Sequence, residues 1–290
     1  MKRIIIAVSI IALAQFCIAQ NQLLDSAKNE LYRINKVFDS SEYLGFNLDI
    51  SYKSDSANKT VETDQMSGNY VLNQKNMYYQ MGNTIYVQTD SFAYNIYPDE
   101  KMMVMTKNFI AQNSNVFPLR AFVDSMMYYY SNDYTVTIEN VAVDSLDYEK
   151  RIRFTRTLTQ QQYTGEDMQY NYFYIDYKYG AEQSYHPIKF EFSYNEEAPI
   201  EVLDSLENVT TLGTYMATKT VTMNFSNFKP MLDFDLFNDN SYVYYNRQRK
   251  IYEPTDKYRD YQFTSSGFDN EDDEAKYYRE APAGTSGGDN

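Results

Sequence analysis

Within 290 residues the chain has one cysteine, one histidine, ten glycines and no tryptophan. Each shortage removes a class of reading. Cys17 falls inside an apolar N-terminal segment that is expected to be cleaved, so the mature chain has no thiol and cannot be stapled by disulfides. The roughly 270 residues left are enough to bury a self-sufficient core, and stability is expected to come from packing. With His186 as the single imidazole, a zinc site would need carboxylates in place of the sulfur and nitrogen ligands zinc prefers. Asp233, Asp235 and Asp239 lack the Gly and terminal Glu of a calcium loop. No metal or other cofactor is expected. There is no Gly-rich phosphate loop and no Gly-x-Ser-x-Gly elbow. His186 precedes Pro187, which favours an extended strand entry over a general base. The chain does not read as an enzyme.

Long apolar runs are also scarce. Only Ile4 to Phe16 qualifies, broken by Ser9 and Gln15, and it is too short to span a bilayer. Lys2 and Arg3 precede it and Cys17-Ile18-Ala19 follows, a small-x-small pattern that predicts a signal peptide over 1–19 and a mature start at Gln20. The bulky Phe16 before Cys17 argues against a lipid anchor. The expectation is export to the periplasm or beyond it, and a protein that is not integral to the membrane. Positive charge is deficient as well: the net charge is −14, and cleavage removes two more cations. Such a surface repels nucleic acid and anionic lipid, so no nucleic-acid partner is expected.

What is abundant is tyrosine, 31 residues, with 17 phenylalanines and 13 methionines. Gln22 to Phe38 places Leu23, Leu24, Ala27, Leu31, Ile34, Val37 and Phe38 at helical spacing, an amphipathic helix. At Phe46-x-Leu48-x-Ile50-x-Tyr52 the period switches to two, the mark of a half-buried strand. Short strands at Met66–Leu72, Asn76–Gln80, Thr84–Gln88, Phe92–Tyr97 and Lys101–Met105 are separated by turn residues and read as an antiparallel meander. Pro118 to Tyr130 returns to helical spacing. Strands resume at Tyr134–Val143, Lys150–Thr155, Gln169–Lys178, His186–Tyr194 and Tyr215–Phe225, with a short helix or turn around Ile200 to Glu207. The reading is α+β: a curved antiparallel sheet or incomplete β-barrel of about ten strands covered by two or three helices.

This domain runs from 20 to 238. Residues 239–264 form a Tyr/Arg-rich C-terminal arm, and 265–290, with Glu271-Asp272-Asp273-Glu274, read as a disordered acidic tail.

The order of elements resembles the bacterial lipoprotein-localisation superfamily, the periplasmic outer-membrane lipoprotein carriers (LolA) and their relatives. The resemblance rests on the helix after the signal peptide and on Gly68-Asn69-Tyr70-Val71-Leu72 running through Tyr78-Tyr79-Gln80-Met81 and Ile85-Tyr86-Val87 to Tyr94-Asn95-Ile96-Tyr97-Pro98. It continues with His186-Pro187-Ile188-Lys189-Phe190 and with Val221 to Phe228 leading to Phe237. The resemblance implies an incomplete antiparallel barrel wrapped around helices, a hydrophobic concavity that takes acyl chains or lipidated proteins, and no catalysis. The chain departs from those carriers in its tyrosine load, its longer spacing and its C-terminal arm. None of their charged ligand-binding residues maps onto it.

Two functions follow as expectations. The first is a periplasmic carrier that shelters an acyl chain or a lipoprotein's lipidated segment in an apolar cavity. Its lining candidates are Met77, Tyr79, Met81, Tyr86, Phe92, Tyr94, Ile96, Met103, Met105, Phe122 and Met126, since methionine suits adaptable apolar walls. Plain core filling is the competing account of the same residues. The second is a structural or adaptor subunit that docks a cell-envelope protein partner through Tyr244, Tyr245, Arg247, Arg249, Tyr252, Tyr258 and Arg259 of the arm, residue types that interfaces enrich. An arm packed back on its own domain is the competing account there. Tyr170 to Tyr177 offers aromatics to both faces of a strand, so it is either covered twice or part of a contact patch.

Overall fold

The computed structural model describes residues 22–38, 43–55, 61–73, 76–107, 134–141, 148–157, 170–179, 185–203, 209–231 and 234–266. The signal peptide, the helix expected over Pro118 to Tyr130 and the acidic tail from 267 onward lie outside the described residues. The chain divides into two compact units.

The first unit contains helix α1 (22–38). Its strands are β1 (Leu44–Asp55, from Phe46 on), the first part of β2 (Val61–Asn73), β7 (Tyr134–Val141), β8 (Tyr148–Arg156), β9 (Tyr170–Tyr179), β10 (Pro187–Leu203) and β11 (Val209–Pro230). The strand order β1-β11-β10-β9-β8-β7 is that of sequential hairpins after one long-range return to β1. Registers fix which side chains share a face: Phe154, Phe173 and Phe192 stand in one cross-strand row, as do Ile152, Ile175 and Phe190. Phe154 and Phe173 stack at 4.3 Å.

Helix α1 covers this face. Ala27, Leu31, Ile34 and Phe38 are buried at the spacing expected of one helical stripe, whereas Leu23, assigned to the stripe from sequence, is exposed at the first turn. The Phe38 ring meets Phe46 at 5.7 Å and Phe225 at 6.4 Å, and the Tyr177 hydroxyl donates to the Glu30 carboxylate at 3.1 Å. Each such side chain withdrawn from water contributes about 1.5–3 kcal/mol. His186 packs edge-on against Phe228 at 4.8 Å at the entry to β10.

The second unit holds the end of β2, then β3 (Asn76–Met81), β4 (Thr84–Gln88), β5 (Phe92–Tyr97) and β6 (Met102–Lys107), the meander expected from the turn residues. Gly82 takes φ +56 in the β3–β4 turn, a conformation glycine adopts without steric cost. The C-terminal segment belongs to this unit. Two 3-10 turns at Phe234–Phe237 and Asp239–Ser241 lead into the hairpin β12 (Val243–Asn246) and β13 (Ile251–Pro254), and a third at Asp256–Tyr258 leads to β14 (Gln262–Ser266). Strand β14 pairs in parallel with β6, Phe263 opposite Met103.

Three sequence expectations need correction. Fourteen strands are present among the described residues where about ten were expected. One α-helix stands among those residues where two or three were expected. Ile200 to Leu203 is not helical: β10 continues through it, paired with β11 as far as Leu203 opposite Val209. Main-chain pairing over 17 and 22 residues outweighs any local helical spacing there.

Candidate functional site

The lining candidates divide between the two faces of the second unit's sheet, because neighbouring residues on a strand point to opposite sides. Phe92, Tyr94 and Ile96 of β5 and Met103 and Met105 of β6 share one face with Val87 of β4. Tyr94, Ile96, Met103 and Met105 are fully buried. What buries them is the C-terminal segment: Tyr242, Val243, Tyr252 and Tyr258 complete the same cluster. Tyr94 stacks on Tyr242 at 4.8 Å, Phe92 meets Tyr252 edge-on at 5.1 Å, and Tyr242 stacks on Tyr258 at 6.1 Å.

A polar latch holds this packing. The Asp239 carboxylate accepts from the Thr89 hydroxyl at 2.7 Å and from the Tyr94 hydroxyl at 2.8 Å. Burial raises the Asp239 pKa above the ordinary carboxylate range, although hydrogen bonds from Thr89, Tyr94 and Ser91 pull it back. Burial and the adjacent Asp239 charge likewise push the Tyr94 phenol up.

Met77, Tyr79, Met81 and Tyr86 stand on the opposite face and are only half-buried. Tyr79 and Tyr86 are directly opposed across β3 and β4 and stack at 5.0 Å; Tyr70 of β2 extends the stack at 5.2 Å. Tyr97, Met102 and Val104, also half-buried, continue this face across β5 and β6. Desolvation by burial raises the phenol pKa of all three stacked tyrosines, that of Tyr70 to about 12. Phe122 and Met126 lie outside the described residues.

The arm candidates are similarly divided. Tyr252 and Tyr258 are buried in their own unit's core and Tyr245 is half-buried against it, meeting Tyr252 at 5.2 Å. Tyr244, Arg247, Arg249 and Arg259 are exposed. Arg249 pairs with Glu253 at 3.0 Å, and Arg259 pairs with Asp256. Packing back on the unit's own core describes Tyr242, Val243, Tyr252 and Tyr258.

Sequence reading singled out the strand Tyr170 to Tyr177 but not its partners. In the first unit, Tyr172 and Tyr174 of β9 face away from the α1 side, and on the same face of β8 Arg153 lies opposite Tyr174 and Arg151 opposite Asp176. Arg151 stacks over Tyr174 at 4.1 Å and Arg153 over Tyr172 at 4.7 Å. The signal was available: Arg-x-Arg and Tyr-x-Tyr at the same two-residue period. Among the described residues no cluster of His, Cys, Asp or Glu is arranged to hold a metal ion, and no helix is long and apolar enough to cross a membrane.

No family model matches the sequence, and no curated protein matches it. Among solved structures the fold is similar to an uncharacterised conserved protein from Thermus thermophilus, at TM-score 0.37 and 10% identity over 83% of this chain and 99% of that one. It is similar to a LolA superfamily protein from Nitrosomonas europaea, at TM-score 0.26 and 10% identity over 74% of this chain and 98% of that one. A putative outer membrane lipoprotein-sorting protein domain from Vibrio parahaemolyticus is also similar, at TM-score 0.27 and 11% identity over 73% and 96% of the two chains.

Proposed function

We propose that this chain is a non-catalytic binding protein of the cell envelope that shelters an acyl chain, free or on a lipidated segment, against the half-buried face carrying Tyr70, Tyr79 and Tyr86. The observation behind this reading is the unequal treatment of the two faces of one sheet. The chain's own C-terminal segment seals the first with Tyr242, Val243, Tyr252 and Tyr258, while the second keeps Met77, Tyr79, Met81 and Tyr86 half-exposed beside the buried Tyr70. Stacked rings give a rigid floor and flexible thioethers an adaptable wall, the combination that suits an alkyl chain of variable length. Binding would come from burial, about 0.8 kcal/mol for each methylene taken out of water. A photoactivatable fatty acid tests it: cross-links at Met77, Tyr79, Met81 or Tyr86 are expected, and labelling confined to other segments or absent altogether would sink the reading.

A second reading, docking of a membrane-anchored partner, draws on the β12–β13 hairpin, where Tyr244 and Ile251 are exposed beside Arg247 and Arg249. Exchanging Arg247 and Arg249 for glutamate should then abolish capture of a purified envelope partner without altering fatty-acid labelling. Unchanged capture would remove it.

A further inference from the structure

We propose that Arg153 in the first unit is a binding site for a carboxylate group presented by a protein partner. The site is built by an alternating ladder on one face of β8 and β9. Tyr172 and Tyr174 lie nearly parallel, their planes 14° apart and their centroids 6.2 Å apart. Arg151 stacks over Tyr174, and Arg153 sits over Tyr172 at 4.7 Å and Tyr174 at 5.9 Å. Stacking of this kind engages the faces of a guanidinium and leaves its edge, with the hydrogen-bond donors, directed outward.

The two arginines differ in what those donors meet. Arg151 gives its edge to Asp176 through two hydrogen bonds, Nε to Oδ1 at 2.7 Å and Nη2 to Oδ2 at 2.9 Å. This bidentate pair is the geometry a planar carboxylate takes on a planar guanidinium. Arg153 has the same aromatic setting two residues along, yet no carboxylate among the described residues pairs with it.

The surroundings keep the platform in place. The Tyr172 hydroxyl donates to Glu191 at 3.0 Å, Thr222 donates to the same carboxylate at 2.9 Å, and Lys189 pairs with it at 2.9 Å. Burial would raise the Glu191 pKa, but hydrogen bonds from Lys189, Thr222 and Tyr172 outweigh it and hold the group below the ordinary range. Lys189 and Arg151 are therefore both neutralised by neighbours. Among the described residues of this ladder, Arg153 is the cation with no carboxylate partner, in a molecule whose net charge is −14.

Charge also selects the occupant. The carboxylates of Asp176 and Glu191 lie close by, which disfavours a dianionic phosphate and leaves a singly charged carboxylate as the better match. Arginine flanked by tyrosine, here Arg153 with Tyr172 and Tyr174, is the pairing of residue types that anchors protein contacts, so an Asp or Glu side chain is the expected source. This site is independent of the acyl-binding face.

The test is a titration of the full-length protein followed by the Nε–H signals of its arginines in NMR. Probes are a blocked Gly-Asp-Gly tripeptide, the Gly-Asn-Gly control, acetate and inorganic phosphate. The expected result is a saturable shift at Arg153, and none at Arg151, with the Asp peptide and with acetate. Arg153→Gln should weaken the acetate response of this face about tenfold or more, while Arg153→Lys, which lacks the planar fork, should rescue it only in part. Equal response to the Asn peptide, stronger response to phosphate, or no saturable shift at Arg153 would each overturn the proposal.

Discussion

The Tyr94 hydroxyl and the Asp239 carboxylate are joined by a 2.8 Å hydrogen bond across 145 residues of sequence. Around that bond the C-terminal segment becomes part of the second unit's interior, with Tyr242, Val243, Tyr252 and Tyr258 in the core. Truncation before Ser241 would take away Tyr242, Val243, Tyr252 and Tyr258 together, leaving Ile96, Met103 and Met105 open to water. Such a truncated protein is expected to bind a hydrophobic dye and to aggregate. It is therefore unsuited to testing partner docking, for which point substitutions at the hairpin tip are needed.

Asp239→Ala should destabilise the second unit by about 1–3 kcal/mol, because the Thr89 and Tyr94 hydroxyls are left without their acceptor in a buried site. Urea denaturation followed by tyrosine fluorescence measures the loss. Faster hydrogen exchange in residues 242–258 than in β9 would localise it.

The same carboxylate sets a pH dependence. Its pKa is raised in the folded state, so its protonated form is the one the fold favours. The stability tied to that proton is fully present below the unfolded pKa, about 3.9, and is lost as pH rises through the elevated folded value. Asp239→Asn should remove this component. Denaturation midpoints of the wild type and the variant, compared between pH 4 and pH 7, should converge on the acid side and separate toward neutrality.

In the first unit, Arg151→Met should cost about 2–3 kcal/mol by leaving the buried Asp176 carboxylate without its guanidinium. Adding Asp176→Asn to that variant should recover part of the loss. A double-mutant cycle in urea measures the coupling, and additive single effects would contradict the pairing.

Placing a charge on the proposed lipid face should weaken binding without unfolding the protein. Tyr86 is half-buried and not part of the sealed core. Tyr86→Glu is expected to lower the affinity for a fluorescent fatty acid at least about tenfold, equivalent to about 1.4 kcal/mol, with unchanged circular dichroism. Met103→Glu, on the sealed face, should instead prevent folding of the unit.

Local patterns were the most legible part of the chain. The 3.6-residue period of 22–38 and the two-residue period of Phe46 to Tyr52 both correspond to observed elements, and the turn residues at Gly82-Asn83 and Pro98-Asp99-Glu100 fall between strands. Long-range choices were not legible. Met103 and Met77 look equally fit to line a cavity, and their separation depends on which face the arm later covers. Nothing local marks Gln262 to Ser266 as a strand, because its pairing is a parallel return to β6. Composition identified the arm as rich in anchoring residues, but anchoring residues serve an interior and an interface by the same physics.

The parallel union of β14 with β6 carries a consequence for biogenesis. Residues 262–266 emerge from the ribosome long after Met102–Thr106, and the Thr89–Asp239 bond alone spans 150 residues. Until then the meander can form its hairpins, but it has neither the last strand of its sheet nor the lid of its interior. The second unit therefore matures only once residues 239–266 have been delivered, and a chain halted before them would present its methionines and aromatics to whatever quality-control machinery is at hand.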